Sequence, residues 1–217
     1  MFAVKHILLS CVALVGLTGF AAAESELSFY TGIQTAPHGS IEGDNDGDDF
    51  DFDVEWEGRS GEAPPYYGFR YTRWENENWG WGVELNHAKV YADDDTLDDN
   101  GFDDLEFTDG LNLLTVNGFY RWQRENSPWT PYVGAGAGLA IPHVDVTIGD
   151  NKTFGYQITG FAVVAMAGVS YDINDTWAVF GEYKGSFSSN TAELDGGGEL
   201  STDIVTNAIN LGVTYKW

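Results

Sequence analysis

The chain has 217 residues, with 34 acids against 10 bases, a formal net charge of −24, and 15% aromatics. That charge excludes general nucleic-acid binding, which needs basic surface against phosphate, and the aromatic content excludes a disordered chain. The one cysteine, Cys11, leaves no disulfide scaffold and no Cys-ligated zinc or iron–sulfur centre.

The first 23 residues read as an export signal. Lys5 supplies the positive start, Ile7 to Phe20 the apolar stretch, and Ala21-Ala22-Ala23 the small-residue cleavage site. A lipoprotein leader ending at Cys11 is the weaker alternative, because its apolar core would be short. The remaining domain, 24–217, leaves the cytoplasm. No apolar run beyond residue 23 approaches the roughly 20 residues of a membrane-spanning helix. Yet 27 glycines, 8 tryptophans, 11 tyrosines and 13 phenylalanines suggest a β protein in contact with lipid.

Alternating apolar and small or polar residues recur in segments of about ten. From Pro131 to Ile141, Val133, Ala135, Ala137, Leu139 and Ile141 alternate with Tyr132, Gly134, Gly136, Gly138 and Ala140. Strands are expected near 26–36, 65–75, 79–90, 111–123, 130–143, 155–172, 177–187 and 204–217. Short connections fall at 76–78, 124–129 and 173–176, and long loops at 37–64, 91–110, 144–154 and 188–203. An even strand count with alternating short and long connections points to an all-β, eight-stranded antiparallel transmembrane β-barrel of outer-membrane type, short turns periplasmic and long loops outside. A soluble lipocalin-like barrel need not alternate its loops so regularly.

Tryptophan placement discriminates between these. Trp74, Trp79, Trp81, Trp122, Trp129, Trp177 and Trp217 fall at the inferred periplasmic strand ends, and only Trp56 lies in a long loop. Amphipathic rings concentrate at a bilayer interface, so this reads as one girdle. The ending Leu211, Val213, Tyr215, Trp217 looks like the signal read by the outer-membrane assembly machinery.

By parity the lumen receives Arg70, Thr72, Glu84, Asn86, Thr115, Asn117, Arg121, Gln157, Thr159, Glu182, Lys184, Thr206 and Asn210. An eight-stranded barrel is just wide enough to be filled by side chains. Arg70, Arg121 and Lys184 are expected to form an ion-pair network with Glu84 and Glu182; a catalytic role for either glutamate is the minority reading.

His38, His87 and His143 map to the extracellular rim, the last two on the lipid-facing side, with Asp145 beside His143 and Lys89 near His87. Histidine serves as metal ligand and general base, and two histidines with one carboxylate make the facial set of non-haem iron oxygenases. The alternative is interfacial residues touching headgroups. Residues 37–64 carry ten acids and 91–110 nine. Asp44-Asn45-Asp46-Gly47-Asp48 falls out of register for a calcium loop, and a solvated surface is the plainer reading. Neither a Gly-x-Ser-x-Gly elbow nor a dinucleotide fingerprint is present.

The segments Ile33 to His38, Tyr66 to Arg70, Glu84 to Tyr91, Leu105 to Asn112, Pro131 to Val146 and Gly181 to Gly185 resemble the lipid A oxidase family of alphaproteobacteria, over nearly the whole chain after residue 23. Asn86-His87-Ala88-Lys89 and Thr108-Asp109-Gly110-Leu111-Asn112 are its more particular motifs. The resemblance implies oxygen-dependent oxidation of the proximal glucosamine of lipid A to 2-aminogluconate, with lipopolysaccharide as partner, and brings no established catalytic residues. Such chemistry needs a redox agent. With no nucleotide, flavin or haem expected, a divalent metal held by His and carboxylates is the remaining option: His38, His87, His143 and Asp145 as ligands, His87, His143, Glu84 or Glu182 as catalytic groups, and Lys89 against a lipid A phosphate. The other class is a non-enzymatic small barrel with a structural or surface-interaction role.

Overall fold

The computed structural model describes residues 24–217, except the side chains of 108 and 109; the segment read as an export signal lies outside the described residues. Eight strands close a ring: β1 (Glu24–Thr35), β5 (Tyr67–Trp74), β6 (Trp79–Ala92), β7 (Asp104–Arg121), β8 (Trp129–Ala140), β11 (Gly160–Asp172), β12 (Trp177–Glu193) and β13 (Glu199–Lys216). Every neighbouring pair is antiparallel, and β13 returns to β1 from Glu26↔Lys216 to Thr35↔Asn207.

Alternation produces this wall. Along β12, Trp177, Val179 and Tyr183 are exposed, while Phe180, Glu182, Lys184, Ser186, Ser188 and Asn190 are buried. Exposed apolar residues outside and buried polar ones inside invert a soluble protein, as lipid on the outer face requires. No helix among the described residues is long and apolar enough to cross a membrane. Gly134 on the inner face of β8 makes room for a ring: a Cβ there would lie 2.6 Å from Phe119.

Two of the periplasmic turns repeat one piece of chemistry. Asn76 Oδ1 accepts from the amides of Asn78 and Trp79, and Asn174 Oδ1 from those of Thr176 and Trp177. Trp79, Trp81, Trp122, Trp129, Trp177 and Trp217 are exposed at this end and form the girdle. Trp74 departs from it: it points inward, 5% exposed, with the Arg121 guanidinium 3.9 Å above its ring.

The four long connections are not loops but a folded extracellular head. Residues 37–64 contain the hairpin β2 (Gly39–Asn45) and β3 (Asp48–Val54), then β4 (Trp56–Glu57). Its turn residues Asp46 and Gly47 both have positive φ, 52° and 88°, which matches the twist of a two-residue hairpin. Residues 91–110 hold the helix α1 (Asp94–Asn100), capped by the Asp93 carboxylate accepting from the Thr96 amide. Residues 144–154 form most of β9 (His143–Ile148) and β10 (Asn151–Tyr156), and β12 and β13 extend up to Glu193↔Glu199.

One apolar face of each piece turns inward. Ile41, Val54, Trp56, Phe102, Leu105, Phe107, Val144, Val146 and Leu200 are buried together, and Phe50 and Phe52 each meet Phe102 at 5.4 Å. Trp56, expected in a loop, is 4% exposed. The extracellular end of the lumen is thus sealed by a small apolar core.

Candidate functional site

Two places hold the chemistry-bearing side chains. The first is the lumen. Arg70 on β5 meets Glu182 on β12 through two bonds of 2.9 Å and Glu84 on β6 through Nε. Lys184 pairs with Glu84 and donates to the Tyr30 hydroxyl (2.9 Å), which donates to Glu84 (2.9 Å). Tyr132 and Asn210 donate to Glu182 at 2.8 and 3.2 Å. All but the half-buried Tyr132 are buried, and the two acids balance the two bases. Low dielectric strengthens each contact and makes an unpaired member costly.

Arg121 stands apart from this network, contrary to expectation. It pairs with Glu24 (2.7 Å) and Glu26 (3.4 Å) at the periplasmic mouth. Below the network a cavity of about 60 Å3 opens between Arg70, Arg121, Trp74 and Tyr132. Above it run Ser186–Thr206 (2.6 Å) and Thr159–Asn190 (2.8 Å), then the head core. Glu84 and Glu182, carried as catalytic candidates, are two of the four ions of this plug.

The second place is the rim. His87 shares the outward parity of Leu85 yet is 3% exposed rather than open to lipid. The Tyr67 ring stacks on it at 4.8 Å, and Nδ1 lies 2.9 Å from Asn112 Oδ1. An amide oxygen only accepts, so Nδ1 carries the proton; Asn112 is oriented by its own bonds to the Gly110 and Ile141 carbonyls, both 3.2 Å. Gly110, φ 96°, is required there: a Cβ would lie 2.2 Å from the imidazole.

Lys89, expected against lipid, is fully buried. The β6–β7 register shifts between Ala88 and Val90, where Lys89 sits, and its ammonium lies 5.1 Å from the Tyr91 ring. A bulge of this kind re-aims a side chain, which parity alone does not foresee.

His143 begins β9, 5% exposed between Phe154 (4.4 Å) and Tyr156 (4.8 Å). Asp145 is 7% exposed and takes Lys152 Nζ at 2.9 Å, and this carboxylate holds the lysine, which donates to it, above its ordinary pKa. Opposite Asp145 on β7 stands Glu106, outside the membrane-spanning ring. Burial, then Asp145 and Asp104, push its pKa up to about 7. His38 is exposed between β1 and β2. Among the described residues no three His, Asp, Glu or Cys side chains converge to hold a metal ion. Asn112 and Tyr67 beside His87, and Glu106 and Lys152 beside Asp145, escaped sequence reasoning because only strand register brings them there.

A closed eight-strand ring with an apolar outer band, one tryptophan girdle and an ion-plugged interior defines a small outer-membrane barrel. The chain belongs to the outer membrane protein beta-barrel domain family, whose model matches residues 7–216. No curated protein matches it. Among solved structures it is similar to outer membrane protein AlkL in lipid bilayers (14% identity, TM-score 0.54, 96% of this chain and 97% of that one). Neisserial surface protein A is similar at 13% identity and TM-score 0.50, over 92% of this chain and all of that one. The attachment invasion locus protein Ail of Yersinia pestis shares 14% identity at TM-score 0.42, over 90% and 99%. At these identities the likeness is one of fold. Fold and family place the chain in the outer membrane.

Proposed function

We propose that this chain is a non-enzymatic barrel with a structural or surface-interaction role in the outer membrane, where lipopolysaccharide is its lipid neighbour and the assembly machinery reads its aromatic C-terminal strand. The observation that carries this reading is the closed interior. Charged side chains fill the middle of the lumen, an apolar core seals its extracellular end, and the acids of 37–64 and 91–110 sit on an ordered head rather than on a channel mouth.

Oxidation of lipid A is the second reading. It is supported by the resemblance of the rim segments and by the His87–Asn112 pair, whose fixed tautomer suits a proton carrier near the outer leaflet. A lipid A deacylase ranks behind it, as no Ser/His pair is evident from sequence spacing. Mass spectrometry of lipid A separates the two leading readings. Cells lacking the chain should take up more hydrophobic dye while their lipid A mass stays unchanged. A gain of one oxygen atom on the proximal sugar, dependent on the chain and on air, would overturn the structural reading.

A further inference from the structure

The ribbon of β8 and β11 does not stop where the eight-strand ring ends. Gly160 pairs with Ala140, the amides of Thr159 and Gln157 donate to the carbonyls of Ala140 and Pro142 (both 3.1 Å), and Tyr156 pairs with His143. One antiparallel ribbon therefore runs from Trp129 to Asp172, shifted once in register near Thr159. Below the shift Phe161 and Leu139 face lipid. Above it, the outward side of the same ribbon carries Ile158, Tyr156 and Phe154, which are 69%, 63% and 60% exposed.

Its neighbours change character at this height. The Thr191 amide donates to the Thr159 carbonyl, so β12 stands level with the shift. There its outward positions pass from Phe187 to Ser189, Thr191 and Glu193. On the other flank, β7 presents Asp104 and Glu106 to β9. The rings thus form an apolar column one strand wide, and from Ile158 to Phe154 it climbs about 13 Å along the strand. The outward side of β10 carries no acid, and its one cation, Lys152, lies 5.2 Å from the Phe154 ring. On a head this acidic, the column presents uncharged rings to the lipid, and Asp145, opposite Phe154, is paired with Lys152. Exposed apolar surface continuous with a lipid-facing wall marks a contact site, and rings of this kind favour membrane interfaces.

We infer that β10 is a membrane-interface element: Phe154, Tyr156 and Ile158 seat among outer-leaflet lipids at the boundary of headgroups and acyl chains, beyond the eight-strand wall. The occupant is lipid because the column prolongs the lipid-facing band of β8 and β11 without a break. The embedded belt is therefore taller on this side of the barrel than on the β12–β13 side.

Cys11 is the chain's one cysteine, so single probes are placed in a Cys11→Ser background. Phe154→Cys, Tyr156→Cys and Ile158→Cys are labelled with a nitroxide and refolded into phosphatidylcholine vesicles, folding being verified by heat-modifiable gel migration. Collision rates are read with oxygen, which concentrates in lipid, and with a water-soluble nickel chelate. Phe161→Cys is the lipid control and Thr191→Cys the control at equal height on the next hairpin. The expected result is an oxygen-to-nickel ratio at the folded column sites close to that of Phe161→Cys and several-fold above that of Thr191→Cys. Nickel access equal to that at Thr191→Cys overturns the inference, since the column then stands in water. Low collision with both reagents also overturns it, because a protein surface then covers the rings. Should one ring substitution prevent folding, the remaining positions decide the result.

Discussion

Above the pair Thr31↔Tyr67, β5 no longer separates β1 from β6, and a single side chain bridges the gap. Gln34 on β1, 1% exposed, donates through Nε2 to the Lys89 carbonyl and accepts from the Lys89 amide through Oε1, both at 2.8 Å. Its carboxamide thus performs the two bonds that a strand residue would. Gln34→Glu keeps the shape and the acceptor but replaces the donor, leaving the buried Lys89 carbonyl facing a carboxylate oxygen. An unsatisfied buried acceptor costs about 1–3 kcal/mol, and an uncompensated buried charge adds to this. Gln157 makes the same pair of bonds to the Glu193 backbone, both 2.9 Å, from a half-buried position. There water can replace the lost donor, so Gln157→Glu should cost less than about 1 kcal/mol. Denaturant unfolding in vesicles gives both values, and hydrogen exchange at Lys89 locates the damage. Equal stability of Gln34→Glu and wild type, with the Lys89 amide still protected, would refute the peptide-substitute role.

Two further outcomes follow from the charges. Arg70→Met should destabilise the barrel by about 3–5 kcal/mol, because it leaves Glu182 buried without its bidentate partner; denaturant unfolding measures it, and a neutral result would mean that water reaches the network. For Glu106 the sign is set by a folded pKa of about 7 against an ordinary 4.5. The folded head holds this proton more tightly than the unfolded chain, so its contribution is fullest below pH 4.5 and is lost as pH rises to about 7. Limited proteolysis of the head should therefore be faster at pH 8 than at pH 5 in wild type, and Glu106→Gln should flatten that difference.

The barrel was legible because lipid imposes a period of two on every spanning strand, with few exceptions to blur it. The head was not, since carboxylates mask the same period there. In Asp48-Asp49-Phe50-Asp51-Phe52-Asp53-Val54 the apolar residues alternate as strictly as in β12, and Asp46-Gly47 is a hairpin turn, yet the acid content reads as a solvated loop. Packing of Phe50 and Phe52 against Phe102 depends on a residue about 50 positions away, and no local pattern announces it.

Parity identified which residues enter the lumen, except Gln157, which the register shift leaves half-buried against the Glu193 backbone; it did not show how they pair, and the reason lies in height. Arg70 lies opposite Glu84 in the β5–β6 ladder, so strand register brings them together directly. Arg121 shares their face, but it sits at the last position of β7, beside the start of β1, and Glu24 and Glu26 are nearer to it than the central glutamates. The rim histidines fail differently. His87 keeps its predicted outward parity and is nonetheless buried, because Tyr67, directly opposite it on β5, lays its ring across the imidazole. Face and exposure coincide along the smooth wall of this barrel. They separate where a strand ends or a bulge begins, and that is where the chain's less regular chemistry collects.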